Sequence, residues 1–259
     1  MDKILVFIPA YNCEKQIVRV LSQFNKEVLL YVSEIIVVNN RSADNTEEVV
    51  KAYIDEHSEL PIKLLRNREN YGLGGSHKVA FDYAMNNGFD YVVVLHGDDQ
   101  GSIRDFIPVF ETRYYRKHDC VLGARFMLGS RLEGYSAFRT FGNIVYDFLF
   151  AFVTGRRIYD LGSGLNMYNV KMLENHFYEK FPDNLMFNYC MILASEYYAH
   201  DIKFFPVSWR EDDQVSNVKM VNQAITVLKL LKDYYFEPQR ITEDYRTTIV
   251  DSYEADIVR

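Results

Sequence analysis

Two adjacent carboxylates, Asp98 and Asp99, stand where a run of apolar residues ends in the stretch YVVVLHGDDQGS, residues 91–102. A hard divalent cation takes oxygen ligands and keeps waters and substrate phosphate oxygens in its shell. One or two carboxylates at a strand end, facing an open crevice, meet that need for Mg2+ or Mn2+, and the cation would stabilise charge growing on a departing diphosphate. The same pair also suits a turn, or the N-cap of a helix opening at SIRDFI, so the dipeptide alone leaves both readings open. Three other stretches carry polar side chains at comparable points. IPAYNCEKQI (8–17) ends an apolar run at Pro9, Tyr11 and Asn12, with Glu14 opening a helix. VVNNRSADNTEEVV (37–50) repeats that logic around Asn39, with a cap near Ser42 or Asp44. NRENYGLGGSHKVAFDYA (67–84) places Gly72, Gly74 and Gly75 before a helix whose first turns hold His77 and Lys78. Such a loop lets backbone approach a phosphate-bearing ligand and aims helix N–H groups at it, although GLGG by itself is weak support.

These residues need elements to position them. Strand-like runs occur at 4–9, 34–40, 62–67, 91–97 and 120–126, and helix-like segments at 14–25, 44–56 and 74–87. Strands alternating with helices imply an α/β fold with a mostly parallel central sheet flanked by helices. The runs are continuous rather than alternating, as expected where both sheet faces are covered. Ligands of such sheets bind beyond the carboxyl ends of the strands, where the four polar stretches converge. Beyond residue 126 a Gly-punctuated loop (127–139) precedes a helix over 138–154, the stretch DLGSGLNMY (160–168), helices near 170–180 and 188–199, and a strand over 202–209. Residues 217–236 set Val221, Ile225, Leu228 and Leu231 at helical spacing, ahead of Tyr234, Tyr235 and Phe236. The expected organisation is one domain over 1–236, with a nucleotide-binding half over about 1–126 and an acceptor-side half over about 127–220. A polar tail over 237–259 follows, its last 18 residues expected to be loosely held.

Bulk properties narrow the function. A net charge of −7 disfavours a general nucleic-acid surface. Cys13, Cys120 and Cys190 are scattered and lack metal spacing, which suggests a reducing compartment without a disulfide framework. No stretch approaches the ~20 apolar residues of a membrane span, and the Phe-rich 144–153 segment carries Asp147. The abundance of aromatic residues, 20 Tyr and 18 Phe, suits sugar- or membrane-facing surfaces and large aromatic cores equally. The turn PAYNCEKQ lacks the glycines of a dinucleotide-binding fingerprint, which disfavours a Rossmann dehydrogenase.

In order and spacing the motifs resemble the nucleotide-diphospho-sugar transferases of glycosyltransferase family 2, with the GT-A fold. Over residues 3 to 220 the chain looks most like the dolichol/polyprenol-phosphate sugar transferases. IPAYN resembles the opening motif, VVNNRSADNT the second-strand motif, NYGLGGSHK the Gly-rich stretch and HGDDQ the metal motif. GARF resembles the segment with a basic residue after the fifth strand, and DLGSGLNMY the mid-chain Asp/Gly motif. The resemblance implies that Pro9, Tyr11, Asn12, Glu14, Asn39, Gly72, Gly74 and Lys78 serve the nucleotide, and that Asp98, with Asp99 as the less certain ligand, holds Mg2+ or Mn2+. Gln100 would support that shell, Asp160, Ser163 and Gly164 would lie on the acceptor side, and Arg210, Ser216 and Lys219 would belong to a late stretch closing over the donor. Arg125 and Arg139 match the basic residues that hold phosphate in the polyprenol-phosphate branch; Arg131 stands between them.

Two departures stand out. Asn39-Asn40 replaces the usual paired acids, keeping an acceptor and adding a donor. His96 takes the first position of Asp-x-Asp, where it contacts phosphate or metal or closes the turn. Asn166 also stands where an arginine is often found. A sugar hydroxyl acceptor needs a general base, and DNLMFNYCMILASEYY lacks the Glu-Asp pair that supplies it in the saccharide branch. A phosphate monoester is already anionic and needs only positive charge. The expected activity is therefore a metal-dependent inverting transfer from a GDP- or UDP-sugar to a polyprenyl-phosphate-type lipid. The alternatives are addition to a cell-envelope polysaccharide or glycolipid, and a non-catalytic sugar-nucleotide-binding module. The expected location is cytoplasmic, with peripheral contact at the inner membrane face through the 138–154 and 217–236 helices.

Overall fold

A computed structural model describes residues 2–212 and 220–259. Its elements in chain order are β1 (Ile4–Ala10), α1 (Ile17–Leu21), β2 (Glu34–Asn39), α2 (Thr46–Glu56), β3 (Ile62–Asn67), α3 (Gly72–Asn86), β4 (Tyr91–Leu95), α4 (Ile107–Glu111) and β5 (Cys120–Ala124). The second half adds β6 (Arg131–Glu133), α5 (Ala137–Thr154), β7 (Leu165–Asn169), α6 (Val170–Leu173), α7 (Met186–Tyr197), β8 (Ile202–Pro206), β9 (Ser208–Arg210), α8 (Met220–Phe236) and β10 (Ala255–Ile257). The eight-stranded sheet runs β10-β3-β2-β1-β4-β7-β5-β8. β3, β2, β1, β4, β5 and β8 point one way, and only β7 and β10 oppose them.

Alternate residues of each strand feed opposite faces, which explains the continuous apolar runs. Leu5 and Phe7 of β1 pack beneath α3, α7 and α8, whereas Ile4, Val6 and Ile8 pack beneath α1, α2 and α4. Parallel pairing brings Ala10 beside Asn39 and the end of β4 to the same rim. Because β7 runs antiparallel, the loop that enters it, residues 160–164, reaches this rim as well. Asn12, Arg41 and Asp99, just past the ends of β1, β2 and β4, all have left-handed backbones with φ of 51°, 61° and 62°. For residues other than glycine that conformation is uncommon and marks chain reversals under constraint.

Several expected elements change their bounds. The first helix shrinks to α1 because residues 14 and 15 remain in a turn. The strand expected over 202–209 breaks at Val207: β8 stays in the main sheet, while β9 leaves it to pair with β6. The segment expected to be a loosely held tail is docked instead. β10 adds to the edge of β3, and Tyr253 covers Gly75, where a Cβ would lie 3.2 Å from its ring.

That docking is anchored by a fully buried ammonium group. Lys78 Nζ donates to Phe181 O and Asp183 Oδ1 at 2.7 Å each and to Tyr253 Oη at 3.0 Å. The Tyr253 hydroxyl in turn donates to Asp183 at 2.9 Å. Leaving one partner of a buried charge unmet costs about 1–3 kcal/mol. Tyr253→Phe should therefore lower the urea-unfolding free energy by about that amount, and limited proteolysis should release the C-terminal segment sooner than in the wild type.

Candidate functional site

The turns after β1 and β2 are stapled into one wall. Asn12 N donates to Ser42 Oγ at 3.0 Å, and Asn12 Oδ1 accepts from Ala43 N at 2.8 Å. Glu14 Oε2 accepts from the backbone and side-chain nitrogens of Asn45 at 3.0 Å each. Asn12 and Glu14 are thus occupied in joining loops, and Tyr11 of the same turn is about half exposed. Asn39 is 2% exposed; its Nδ2 donates to Glu47 Oε2 at 2.8 Å and its Oδ1 accepts from Ser42 N at 3.0 Å. An aspartate there would repel Glu47, so the amide fits a neighbouring acid that sequence reasoning missed. Lys51 Nζ donates to Glu47 at 2.6 Å, and the Glu47 carboxyl lies below the usual range: these donors outweigh the opposing effect of burial. Its sequence signal was an acid in the first turn of α2.

The glycine-rich loop does not stand open as a phosphate cradle. A Cβ on Gly72 would come within 2.3 Å of Asp183 O, and one on Gly74 within 2.5 Å of Pro182 O. Gly74 N already donates to Asp183 O at 2.8 Å, so the close backbone approach serves the protein's own chain. Lys78 points into the core rather than the cleft, and Pro9 is half-buried, its carbonyl accepting from Gly97 N at 3.1 Å.

The two carboxylates of HGDDQ divide. Asp98 is half-buried at the rim, and burial, reinforced by the negative charge of Asp99, pushes its carboxyl up to about 6. Asp99 is fully buried: its carboxylate accepts from Arg19 Nε at 2.6 Å, Gln23 Nε2 at 3.2 Å and Arg210 Nη2. With both oxygens so occupied, Asp99 does not face the cleft as a cation ligand. His96 packs its ring against Gly164, where a Cβ would lie 2.4 Å from Cγ, and its buried Nε2 has no hydrogen-bond partner among the described residues. Burial, with the charge of Arg125, lowers His96 to about 4 and keeps it neutral.

On the other side, Arg125 is 8% exposed and bidentate with Asp160, through Nε to Oδ2 at 2.7 Å and Nη2 to Oδ1 at 2.8 Å. Phe126, Tyr135 and Trp209 surround its guanidinium with ring centroids 5.0–5.6 Å away. Asp160 also accepts from Gly162 N, and Ser163 Oγ donates to Gly123 O, so this motif ties the entry of β7 to β5. The expectation that Arg125 presents a free fork to phosphate therefore meets a buried, already paired guanidinium. Arg139 is more open: Nη1 donates to both oxygens of Glu211 at 2.6 and 2.7 Å, with its side chain 37% exposed. Gln100 Nε2 reaches Glu211 at 3.5 Å, while Arg131 is exposed on β6. Ser216 and Lys219 lie outside the described residues.

The donor set at Asp98 suits a divalent ion that draws the rest of its shell from diphosphate oxygens and water. One carboxylate that burial alone would leave protonated near pH 6 is stabilised as an anion by such a charge. A separate group, Asp82, His176 and Glu179, brings potential ligand atoms within 4.8 Å of one another. It stands well along α3 from Gly72, about 15 Å at ~1.5 Å per residue, and is distinct from the cleft.

The sheet order, the rim and the neighbouring structures define a GT-A glycosyltransferase fold. The chain resembles glucosyl-3-phosphoglycerate synthase from Mycobacterium tuberculosis at a TM-score of 0.62 and 18% identity, over 89% of this chain and 80% of that one. It resembles the S. aureus TarS 1–349 structure in complex with UDP-GlcNAc at 0.57 and 18%, over 88% and 65%. Glycosyl transferase family 2 matches residues 5–177, and the chain belongs to that family. A dolichyl-phosphate beta-glucosyltransferase of Trichomonas vaginalis is 23% identical over 237 residues, 86% of this chain and 69% of that protein. A dolichol-phosphate mannosyltransferase of Pyrococcus furiosus is 26% identical over 137 residues, 53% and 37% respectively. Against an uncharacterized Methanocaldococcus jannaschii protein, 26% identical, the match covers 65% of each chain. The chain thus spans about a third to two thirds of the length of most such relatives.

Asp147, on the inner face of α5, was legible only as a charge within a Phe-rich segment. It is 6% exposed, its Oδ1 has no hydrogen-bond partner among the described residues, and burial with the nearby charge of Asp160 pushes its carboxyl up to about 8. The folded state then keeps a proton that the unfolded state releases near pH 4, so this group's contribution to stability is lost as pH rises from about 4 to 8. Asp147→Asn removes that dependence. In urea titrations at pH 5, 6.5 and 8, the variant should gain on the wild type at each step, by on the order of 1 kcal/mol per pH unit.

Proposed function

We propose that this chain transfers a sugar, with inversion, from a nucleoside-diphosphate sugar to a polyprenyl-phosphate-type lipid. Asp98 would hold Mg2+ or Mn2+ against the donor's diphosphate. The observation that carries the reading is the position of Asp98 at the carboxyl end of β4, on the rim shared with the β1 and β2 turns and the loop entering β7. A bound cation would neutralise charge on the departing diphosphate. Tyr11, about half exposed, would meet the nucleoside. Support for uridine comes from the M. tuberculosis neighbour, solved with Mn2+, UDP and phosphoglyceric acid. Support for the lipid comes from the dolichyl-phosphate relatives. The half-exposed Arg139 would receive the acceptor phosphate by giving up Glu211, whereas Arg125 would brace the site from within. A phosphate acceptor needs no general base, only this positive charge.

The outer faces of α5 and α8 suit contact with an anionic bilayer. Phe138, Phe141, Phe148 and Phe152 are each about 70% exposed along one side of α5. Phe152 stacks on Tyr235 of α8, beside exposed Ile225, Leu228, Lys229 and Lys232. Apolar side chains with neighbouring lysines are what an interfacial helix presents to lipid. No helix among the described residues is long and apolar enough to cross a membrane, and the contact we propose is peripheral.

Calorimetry should show UDP binding that strengthens at least tenfold with Mn2+, and Asp98→Asn should abolish the Mn2+ dependence while leaving metal-free binding in place. No binding with Mn2+ present would reject the donor site. Vesicles of anionic and neutral phospholipid should co-sediment the protein. Phe141→Asp with Phe148→Asp should cut that partition more than tenfold, since each buried phenylalanine is worth about 1.5–3 kcal/mol. Polyprenyl phosphate should accelerate consumption of the UDP-sugar, and stimulation by an oligosaccharide instead would move the acceptor to a polysaccharide.

A further inference from the structure

We propose that Asp99 is a positioning residue that fastens the β6–β9 ribbon to the chain following β4, leaving cation binding to Asp98. The inference rests on Asp98 being the cation's carboxylate and adds a separate duty for its neighbour. Adjacent residues normally share a surface, but the left-handed backbone at Asp99 (φ 62°) turns its side chain away from the rim and into the protein. There it meets guanidinium groups from two distant elements, Arg19 of α1 and Arg210 of β9. Arg210 holds the same residue twice, since its Nε also donates to Asp99 O at 2.9 Å. A carboxylate with no solvent exposure is stable only when its lone pairs are met, and these donors meet them.

The fastening has a reach beyond Asp99. Arg210 N donates to Gln100 O at 3.0 Å, and Trp209 bridges to Gly101, so β9 lies along the strand of chain that follows the metal motif. The next residue, Glu211, is the partner of Arg139, and Trp209 packs on the guanidinium of Arg125. One buried carboxylate on the donor side thereby sets the position of the two residues that govern the acceptor side. Loosening it would shift Arg139 and Trp209 without removing any ligand of the cation.

Hydrogen exchange of the ligand-free protein read by mass spectrometry, together with calorimetry of UDP with Mn2+, tests this. In Asp99→Asn the amides of Arg210 and Glu211 should exchange at least tenfold faster, with β1 and β2 unchanged. UDP affinity with Mn2+ should stay within about threefold of wild type, equivalent to ~0.7 kcal/mol. Loss of Mn2+-dependent UDP binding matching that of Asp98→Asn would overturn the proposal and make Asp99 a ligand. Unchanged exchange at 210–211 would also overturn it. If Asp99→Asn does not fold, Arg210→Gln leaves the carboxylate intact and should show the same local exchange increase, with no increase counting against the proposal. Failure of the wild type to bind UDP would defeat the donor-site reading alone, because the exchange measurement needs no ligand.

Discussion

Charge held away from water has to be matched by a partner, and along this cleft that requirement decides which side chains remain to meet a ligand. Asp99 is met by Arg19 and Arg210, Asp160 by Arg125, and Lys78 by Asp183 and Tyr253. Each pair joins segments far apart in the chain, so the pairs work as fasteners for the loops around the rim. Burial pushes two other carboxyls upward, to about 6 at Asp98 and about 8 at Asp147. Of these two, Asp98 stands at the rim, just past the end of β4.

Strand direction is the second organiser. Parallel strands deliver the turns that follow them to one rim, and the reversed β7 delivers the loop that precedes it. That reversal brings Gly164 against His96 and sets Asp160 under Arg125, so the motif after β4 and the loop entering β7 share a seam. α5 crosses next to this seam with two unlike faces. Its inner face buries Phe150 and Asp147 near the Arg125–Asp160 pair, and its outer face carries a row of exposed phenylalanines.

The departures from the familiar motif pattern become intelligible in the same terms. Asn39 replaces an acid and donates to Glu47, so negative charge is kept at this edge of the sheet and relocated to α2. His96 is neutral and packed, which leaves Asp98 as the motif carboxylate at the rim. The glycines of GLGG are required because another part of the chain, residues 182–183, presses against them.

Much of the architecture was legible in the sequence, since strands buried on both faces must be written as unbroken apolar runs and the polar residues after them mark the rim. The order of the motifs was enough to recognise the family. What the sequence could not disclose was partnership. Lys78 and Asp183, Arg19 and Asp99, or Arg139 and Glu211 carry no local signal of each other, because a charge finds its mate through folding rather than through spacing. The docked C-terminal segment was hidden for a related reason: β10 is a short edge strand of three residues without periodicity, held by contacts made elsewhere. Residue types therefore determined the sheet, the rim and the kind of chemistry available there. Only the tertiary structure decided which of two neighbouring carboxylates stays at the rim, since backbone reversal and long-range ion pairing place Asp98 there and Asp99 in the interior.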